Sequence, residues 1–212
     1  MKESGYYTQS RSEMSVFVPQ SARTILEVGC GAGAFLRLLE RDDRELWGVE
    51  LNESEARQAE AYCHRVLVGD IMQLLAELPE KHFDCIVFND VLEHLAWPCK
   101  VLEKVRSLLS DDGVVVASIP NIRYIDTFVK EMLWQKDFRY RPEGGILDET
   151  HFRFFTSKSM CRMFRSCGYE IVRHEGVRPC KSWKEKLLIT CSMGLLSDCR
   201  YHCYATVARP QK

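Results

Sequence analysis

The sequence predicts an α/β fold built on a parallel sheet, and three observations predict it. Short apolar runs alternate with amphipathic stretches from Arg23 to Ile119. A glycine-rich turn, Gly29-Cys30-Gly31-Ala32-Gly33, follows the first run. The second and third runs lead directly into carboxylates, Glu50 and Asp70. Strand-length runs alternating with helical spacing imply βαβ units with right-handed crossovers.

Each element has its own signal. Residues 23–28 (RTILEV) read as a buried strand, and 34–41 as a helix with Phe35, Leu38 and Leu39 on one face. A strand at 45–49 precedes a helix at 53–64, which Asn52 opens as N-cap with Glu55 three residues on. Strands at 65–68, 83–88 and 113–119 alternate with helices at 71–78 and 99–109. After Pro120 the rhythm breaks. One helical piece, 124–134, leads into a charged loop holding Pro142, Gly144 and Gly145. A helix at 157–167 starts at Thr156 as N-cap and stops at Gly168, a glycine placed for the left-handed turn beyond a helix end. A strand at 169–175, an apolar segment at 183–196 and a final strand at 200–208 complete the chain. The whole reads as one domain, 1–212, with an N-terminal arm at 1–22 and insertions at 121–150 and 177–199.

With 46% hydrophobic and 28% charged residues, the chain of 212 residues falls in the globular range, which excludes disordered and fibrous classes. The longest nearly apolar run, 187–196, is too short to span a bilayer, and no apolar stretch follows the charged start, so a cytoplasmic location is expected. The net charge of −1 hides an asymmetry. From Asn121 onward 17 Lys/Arg face 10 Asp/Glu, whereas the preceding residues hold 12 against 20. A basic second half suits an anionic substrate. The 10 cysteines include no C-x-x-C pair and several sit in apolar runs, so they read as reduced thiols. Cys191, Cys199, His202 and Cys203 lack a recognised zinc spacing.

Glycines after a first strand let the main chain approach a ligand with no Cβ in the way. The crevice beyond that strand is where doubly wound sheets bind nucleotides. Glu50, at the end of the second strand, can accept both hydroxyls of a ribose. Asp70 can accept from an adenine amine or cap the next helix, and the two roles are compatible. Gly29-x-Gly31-x-x-Ala34 also satisfies a dinucleotide fingerprint, so a dehydrogenase is the rival reading.

Taken together, Glu27-Val28-Gly29-Cys30-Gly31-Ala32-Gly33, Glu50, Gly69-Asp70 and Asn89-Asp90-Val91-Leu92-Glu93-His94 resemble class I S-adenosylmethionine-dependent methyltransferases. The likeness is to the small-molecule branch that includes ubiquinone-biosynthesis O-methyltransferases and glycan-associated enzymes. It implies a Rossmann-like sheet of seven mostly parallel strands, the last antiparallel, with helices on both faces. The glycine loop would receive the methionine part of S-adenosylmethionine, with Glu27 beneath it. Glu50 and Leu51 would hold the ribose, and Gly69, Asp70 and Ile71 the adenine. Asn89 and Asp90 would flank the sulfonium, and Arg11 in the arm would meet the methionine carboxylate, with Tyr6 and Tyr7 nearby.

In the resembling ubiquinone enzymes an acid-x-x-Glu-His run can hold a divalent metal, here Asp90, Glu93 and His94. A metal-free histidine base at His94 is the preferred reading. His151, in the His-x-Arg-Phe-Phe-Thr run of 151–156, is the second candidate base, and Arg153 a candidate partner for an anionic group. The insertion 121–150 would cover the cleft. Tyr124, Phe128, Trp134, Phe138 and Tyr140 would wall an acceptor pocket, and Arg123, Arg139 and Arg141 would face an anionic group. The expected acceptor is a small molecule or a glycan- or lipid-linked hydroxyl. Methylation of RNA or protein, or an idle cofactor-binding domain, are the alternatives; nucleic acid is disfavoured because no nucleic-acid module is present.

Overall fold

The computed structural model of the chain describes residues 11–127, 129, 131, 134, 137, 139–142 and 144–211. Tyr6, Tyr7, Phe128 and Phe138 lie outside the described residues. The sheet has seven strands in the order β3-β2-β1-β4-β5-β7-β6. They are β1 (Thr24–Val28), β2 (Glu45–Glu50), β3 (Arg65–Val68), β4 (Phe83–Asn89), β5 (Leu109–Pro120), β6 (Tyr169–Pro179) and β7 (Tyr201–Pro210). β1 to β5 pair in parallel, whereas β7 is antiparallel to both β5 and β6. The Rossmann-like architecture expected from the sequence is therefore present, including its reversed last strand.

Helices α1 (Ala34–Leu38), α2 (Glu53–Ala59), α3 (Ile71–Leu74) and α4 (Pro98–Val105) connect the parallel strands. Each is shorter than its sequence pattern suggested, because several continue or end in tight 3₁₀ turns. Leu75–Glu77 follows α3 in this way, and Arg106–Leu108 follows α4. Asn52 and Asp70 cap α2 and α3, accepting from Ser54 N–H and Met72 N–H respectively. Among the described residues of the expected helix at 124–134, α-helix spans α5 (Ile125–Thr127). Helix α6 (Ser157–Ser166) carries the capping box of Thr156 and Ser159, and Gly168 beyond it has φ +76°. Helix α7 (Trp183–Cys191) follows β6, which runs four residues further than its predicted end at Glu175.

Strand alternation divides the interior in two. Phe88, Val115, Ala117 and Ile119 face α4 and α6 on one side, with Leu102, Val105 and Phe164 packed against them. Cys85, Val87 and Val116 face the other side, with Met14, Phe35, Leu36 and Ala59. Both faces of a parallel sheet are thus covered, which is why its strands read as continuous apolar runs. Each fully buried large side chain contributes roughly 1.5–3 kcal/mol through removal from water. The two layers hold the carboxyl ends of β1, β2 and β4 in one fixed edge. Among the described residues no helix is long and apolar enough to cross a membrane.

Candidate functional site

The strand order reverses at β1, which leads to β2 on one side but lies beside β4 on the other. Such a switch point opens a crevice beyond the carboxyl ends of the strands. A cavity of about 480 Å³ lies there. Of the residues proposed from the sequence, Arg11, Glu27, Gly29, Cys30, Gly31, Glu50, Leu51, Asn89, Asp90, His94 and His151 line it.

The loop after β1 explains its glycines. Gly29, Gly31 and Gly33 have φ of +74°, +51° and +78°, the left-handed region that a Cβ disfavours. A Cβ on Gly29 would stand 2.6 Å from Val91 Cγ2, so any larger residue would push the loop off the β4 turn. The Gly31 N–H donates to Glu50 Oε2 at 2.8 Å, and the Asn52 N–H to Glu50 Oε1 at 2.9 Å. The carboxylate is thereby locked beside the loop. Each oxygen retains a second lone-pair site, which a vicinal diol can use. Leu51, 72% exposed, overhangs the same spot.

Glu27 is fully buried at the base of the cavity. Burial, aided by the nearby Glu50 charge and opposed by a hydrogen bond from Asn89, pushes its carboxyl up to about 8. Asn89 Nδ2 donates to Glu27 Oε1 at 2.8 Å. Glu27 Oε2 and Asn89 Oδ1 are buried and have no hydrogen-bond partner in the protein. Buried polar groups are nearly always paired, so these two atoms mark where a ligand's polar groups belong. A diol cradle at Glu50, a Cβ-free loop and unpartnered polar atoms below it fit S-adenosylmethionine.

Arg11 and Asp90 form an ion pair across the cavity, and Asp90 Oδ1 also accepts from Ser118 Oγ at 2.7 Å. Arg11 thus lines the cavity with its guanidinium paired to Asp90. Arg11, Asp90 and Arg178 have φ of 45°, 53° and 55° and all line the cavity. Strained non-glycine residues of this kind cost of order 1 kcal/mol each and concentrate at functional sites.

The histidines line the same cavity, in rings 4.6 Å apart at 72°. His151 Nδ1 lies 3.0 Å from the Ile146 carbonyl, which can only accept, so Nδ1 donates there. His94 Nδ1 lies 3.0 Å from Thr150 Oγ1, whose own hydroxyl donates to buried Asp148 at 2.7 Å. The relay from His94 through Thr150 to Asp148 likewise has Nδ1 donating. Backbone bonds from Phe152 N–H and Arg153 N–H to the Glu93 carbonyl tie the two histidine-bearing segments together. Ligand atoms of Glu93, His94 and His151 come within 4.8 Å of one another. This candidate metal set has His151 where the sequence reading placed Asp90, which is engaged by Arg11 and Ser118.

Four of the residues proposed to bind the cofactor, Gly33, Gly69, Asp70 and Ile71, do not line the cavity. Gly33 packs on α2, where a Cβ would lie 3.0 Å from Ala59 Cα. Asp70 Oδ1 caps α3, Gly69 N–H donates to the Glu50 carbonyl, and Ile71 is core. Burial against Gly48 and nearby acids raises the Cys30 thiol far above its usual range, so it is a protonated packing group. Arg153 donates to the Ala96 carbonyl at 2.6 Å and stacks over Trp97. Arg123, Arg139 and Arg141 are ion-paired with Asp198, Asp137 and Glu131. Trp134 is 83% exposed, and thus neither core nor pocket wall.

The sequence reading missed Asp148, Arg178 and His202, which also line the cavity. Arg178 and His202 come from the end of β6 and the start of antiparallel β7, which the topology brings to the same sheet edge. Burial and the charges of Arg178 and Arg11 lower His202 to about 4, so it is a neutral imidazole. Asp148 shows itself in the sequence only as part of an acidic turn before His151.

A seven-stranded sheet with this order, closed by antiparallel β7 around a cavity of this make-up, defines a class I S-adenosylmethionine-dependent methyltransferase fold. A family model described as "Methyltransferase domain" matches residues 4–174, and the chain belongs to that family. The dinucleotide reading of the glycine loop is thereby set aside. An S-adenosylmethionine-dependent methyltransferase from Archaeoglobus fulgidus superposes with a TM-score of 0.71 at 20% identity, over 93% of this chain and 91% of that one. A ubiquinone biosynthesis O-methyltransferase of Aeromonas salmonicida is 24% identical over 162 residues, 73% of this chain and 66% of that protein. A tRNA U34 carboxymethyltransferase of Idiomarina loihiensis is 31% identical over 109 residues, 45% of this chain and 32% of that protein. The chain spans about half the length of the first curated relatives it matches.

Proposed function

We propose that the chain transfers a methyl group from S-adenosylmethionine to a hydroxyl oxygen of a small-molecule or glycan- or lipid-linked acceptor. The observation that carries this reading is the pair His94 and His151, whose rings meet in the cavity that the glycine loop and Glu50 also line. Bound in this cavity, S-adenosylmethionine supplies a methyl group on positively charged sulfur, already activated for displacement. Glu50 holds the ribose end. Glu27 and Asn89 answer the positive end. The relay through Thr150 and Asp148 fixes the His94 ring, and the Ile146 carbonyl fixes that of His151. Either imidazole would take the proton of the acceptor hydroxyl whose oxygen receives the methyl group, the sulfur–methyl bond breaking to leave neutral S-adenosylhomocysteine. Positioning of donor and acceptor provides much of the acceleration, and the histidine base about 10²–10⁴-fold more.

The likeness to an O-methyltransferase favours oxygen over nitrogen, and the likeness to a tRNA-modifying enzyme keeps nucleic acid as the competing substrate class. A screen of hydroxyl compounds and tRNA for release of S-adenosylhomocysteine separates them. Turnover on tRNA and on no hydroxyl metabolite overturns the small-acceptor reading. A second reading rests on the proximity of Glu93, His94 and His151, which could together hold a divalent cation. Turnover abolished by chelator and restored by Mg²⁺ or Zn²⁺ would favour it, whereas indifference to chelator leaves the histidines as simple bases.

A further inference from the structure

Helix α7 exposes large apolar side chains. Its half-buried residues are Ser182, Glu185 and Ile189, and Ile189 packs against the small cluster of Ile125, Cys180 and Cys199. The outward side carries Trp183, Leu187 and Leu188, exposed by 68%, 54% and 47%, interspersed with Lys184 and Lys186. The turn beyond it adds Met193 at 93% and Leu195 at 78%, with Met193 and Gly194 at φ +50° and +92°. A surface helix ordinarily buries its apolar stripe and shows its polar one. Here five large apolar side chains are exposed on one short segment, a concentration of the kind that marks an interaction surface.

The charge around the patch selects the partner. Lys181, Lys184 and Lys186 are all exposed beside it, and the one acid of the helix, Glu185, belongs to the stripe turned to the body. A second copy of this chain would set lysines against lysines. A bilayer with anionic headgroups instead meets them with opposite charge, accepts the leucines and methionine among its acyl chains, and suits a tryptophan at its interface. We infer that α7 and the turn at 192–195 dock the protein on an anionic lipid surface, lying in the interface without crossing it.

The topology gives this docking a direction. β6 is parallel to β5, so its end at Pro179 delivers α7 to the sheet edge that carries the glycine loop. An open groove of about 790 Å³ runs beneath the first turns of α7, lined by Tyr124, Lys181, Glu185 and Lys186. Arg178 and His202 line both this groove and the cavity described above. A docked α7 therefore places the groove at headgroup level, with Arg178 and His202 at the neck between lipid surface and site. This last consequence, entry of a membrane-borne acceptor from the side, rests on the proposed methyl transfer; the docking itself does not.

The test is co-flotation of the full chain with phosphatidylcholine vesicles, with and without phosphatidylglycerol. Binding to the anionic vesicles only, weakened by salt, is expected. A triple variant Trp183→Ser, Leu187→Ser, Leu195→Ser and a triple variant Lys181→Glu, Lys184→Glu, Lys186→Glu should each bind about tenfold or more weakly. Unchanged thermal midpoints in both would show that the fold is intact. Absence of the wild-type protein from anionic vesicles, or equal binding by the variants, overturns the inference. A dimer by light scattering that Leu187→Ser dissociates, without vesicle binding, would assign the patch to self-association instead. Flotation needs neither methyl donor nor acceptor, so its failure is distinct from failure of the proposed reaction.

Discussion

His94 and His151 meet edge to face, with ring centroids 4.6 Å apart, although β5 and the whole insertion separate them in the chain. The contact exists because the Glu93 carbonyl accepts from both Phe152 N–H and Arg153 N–H, clamping the segment after the insertion onto the turn after β4. Replacing His151 with Ala should lower turnover by about 10²–10⁴-fold while leaving donor affinity unchanged. His94→Ala should show which ring takes the proton. Thr150→Val, which breaks the relay to Asp148 but keeps the ring, should depress kcat only if His94 is that base. Steady-state kinetics with donor affinity from calorimetry checks all three; full activity in both histidine variants would remove them from the reaction.

Glu50 is held by two backbone N–H groups and faces the cavity. Glu50→Ala should weaken S-adenosylmethionine binding by about 1.5–3 kcal/mol, the usual value of hydrogen bonds to a charged group. Titration calorimetry against S-adenosylhomocysteine, with NAD as a control, reads this directly. Micromolar NAD binding without a response to the sulfonium compound would contradict the site.

Glu27 gives a pH signature. Its carboxyl is raised by burial from 4.5 to about 8, so the folded protein keeps a proton that the unfolded chain releases. The resulting contribution is favourable below pH 4.5 and is lost progressively as pH rises toward 8. One retained proton corresponds to a fall of about 1.4 kcal/mol per pH unit in that window. Glu27→Gln should flatten this slope in denaturant melts at several pH values; parallel curves for variant and wild type would mean that Glu27 ionises normally.

The insertion tests the acceptor side. Gly144, Gly145 and Asp148 line the cavity, and the two glycines have φ of +94° and +93°. Deleting residues 139–145 should spare donor affinity and impair methyl transfer, because the deletion removes Gly144 and Gly145 from the cavity lining. Undiminished turnover after the deletion would place the acceptor elsewhere.

Much of the donor side was legible because its signals are local. A parallel strand must be apolar throughout, so β1, β2 and β4 stand out as runs, and a turn that forbids Cβ atoms must be glycine. Glu50 at a strand end needs only the strand to be located. Asp70 shows the limit of such reasoning. Its position was read correctly, yet the same carboxylate satisfies an N-cap, and local sequence cannot apportion one oxygen between a helix and a ligand. Arg11 shows a second limit: the strain and charge at Asp90 that capture it arise only after β4 and β5 are paired.

The sequence by itself determined the alternating layers, the glycine loop and the carboxylates at the strand ends, because each depends on residues within a few positions of one another. Tertiary structure alone decided the rest. Arg178 and His202 reach the cavity because β7 runs antiparallel, which brings the end of one strand and the start of the next to a single edge. His94 and His151 become a pair only through the Glu93 clamp. The outward side of α7 carries Trp183, Leu187 and Leu188 because Ser182, Glu185 and Ile189 meet the body. Contacts between distant segments are set by sheet order and helix packing, and α7, unlike α4 and α6, has no apolar periodicity that records which face it will turn inward.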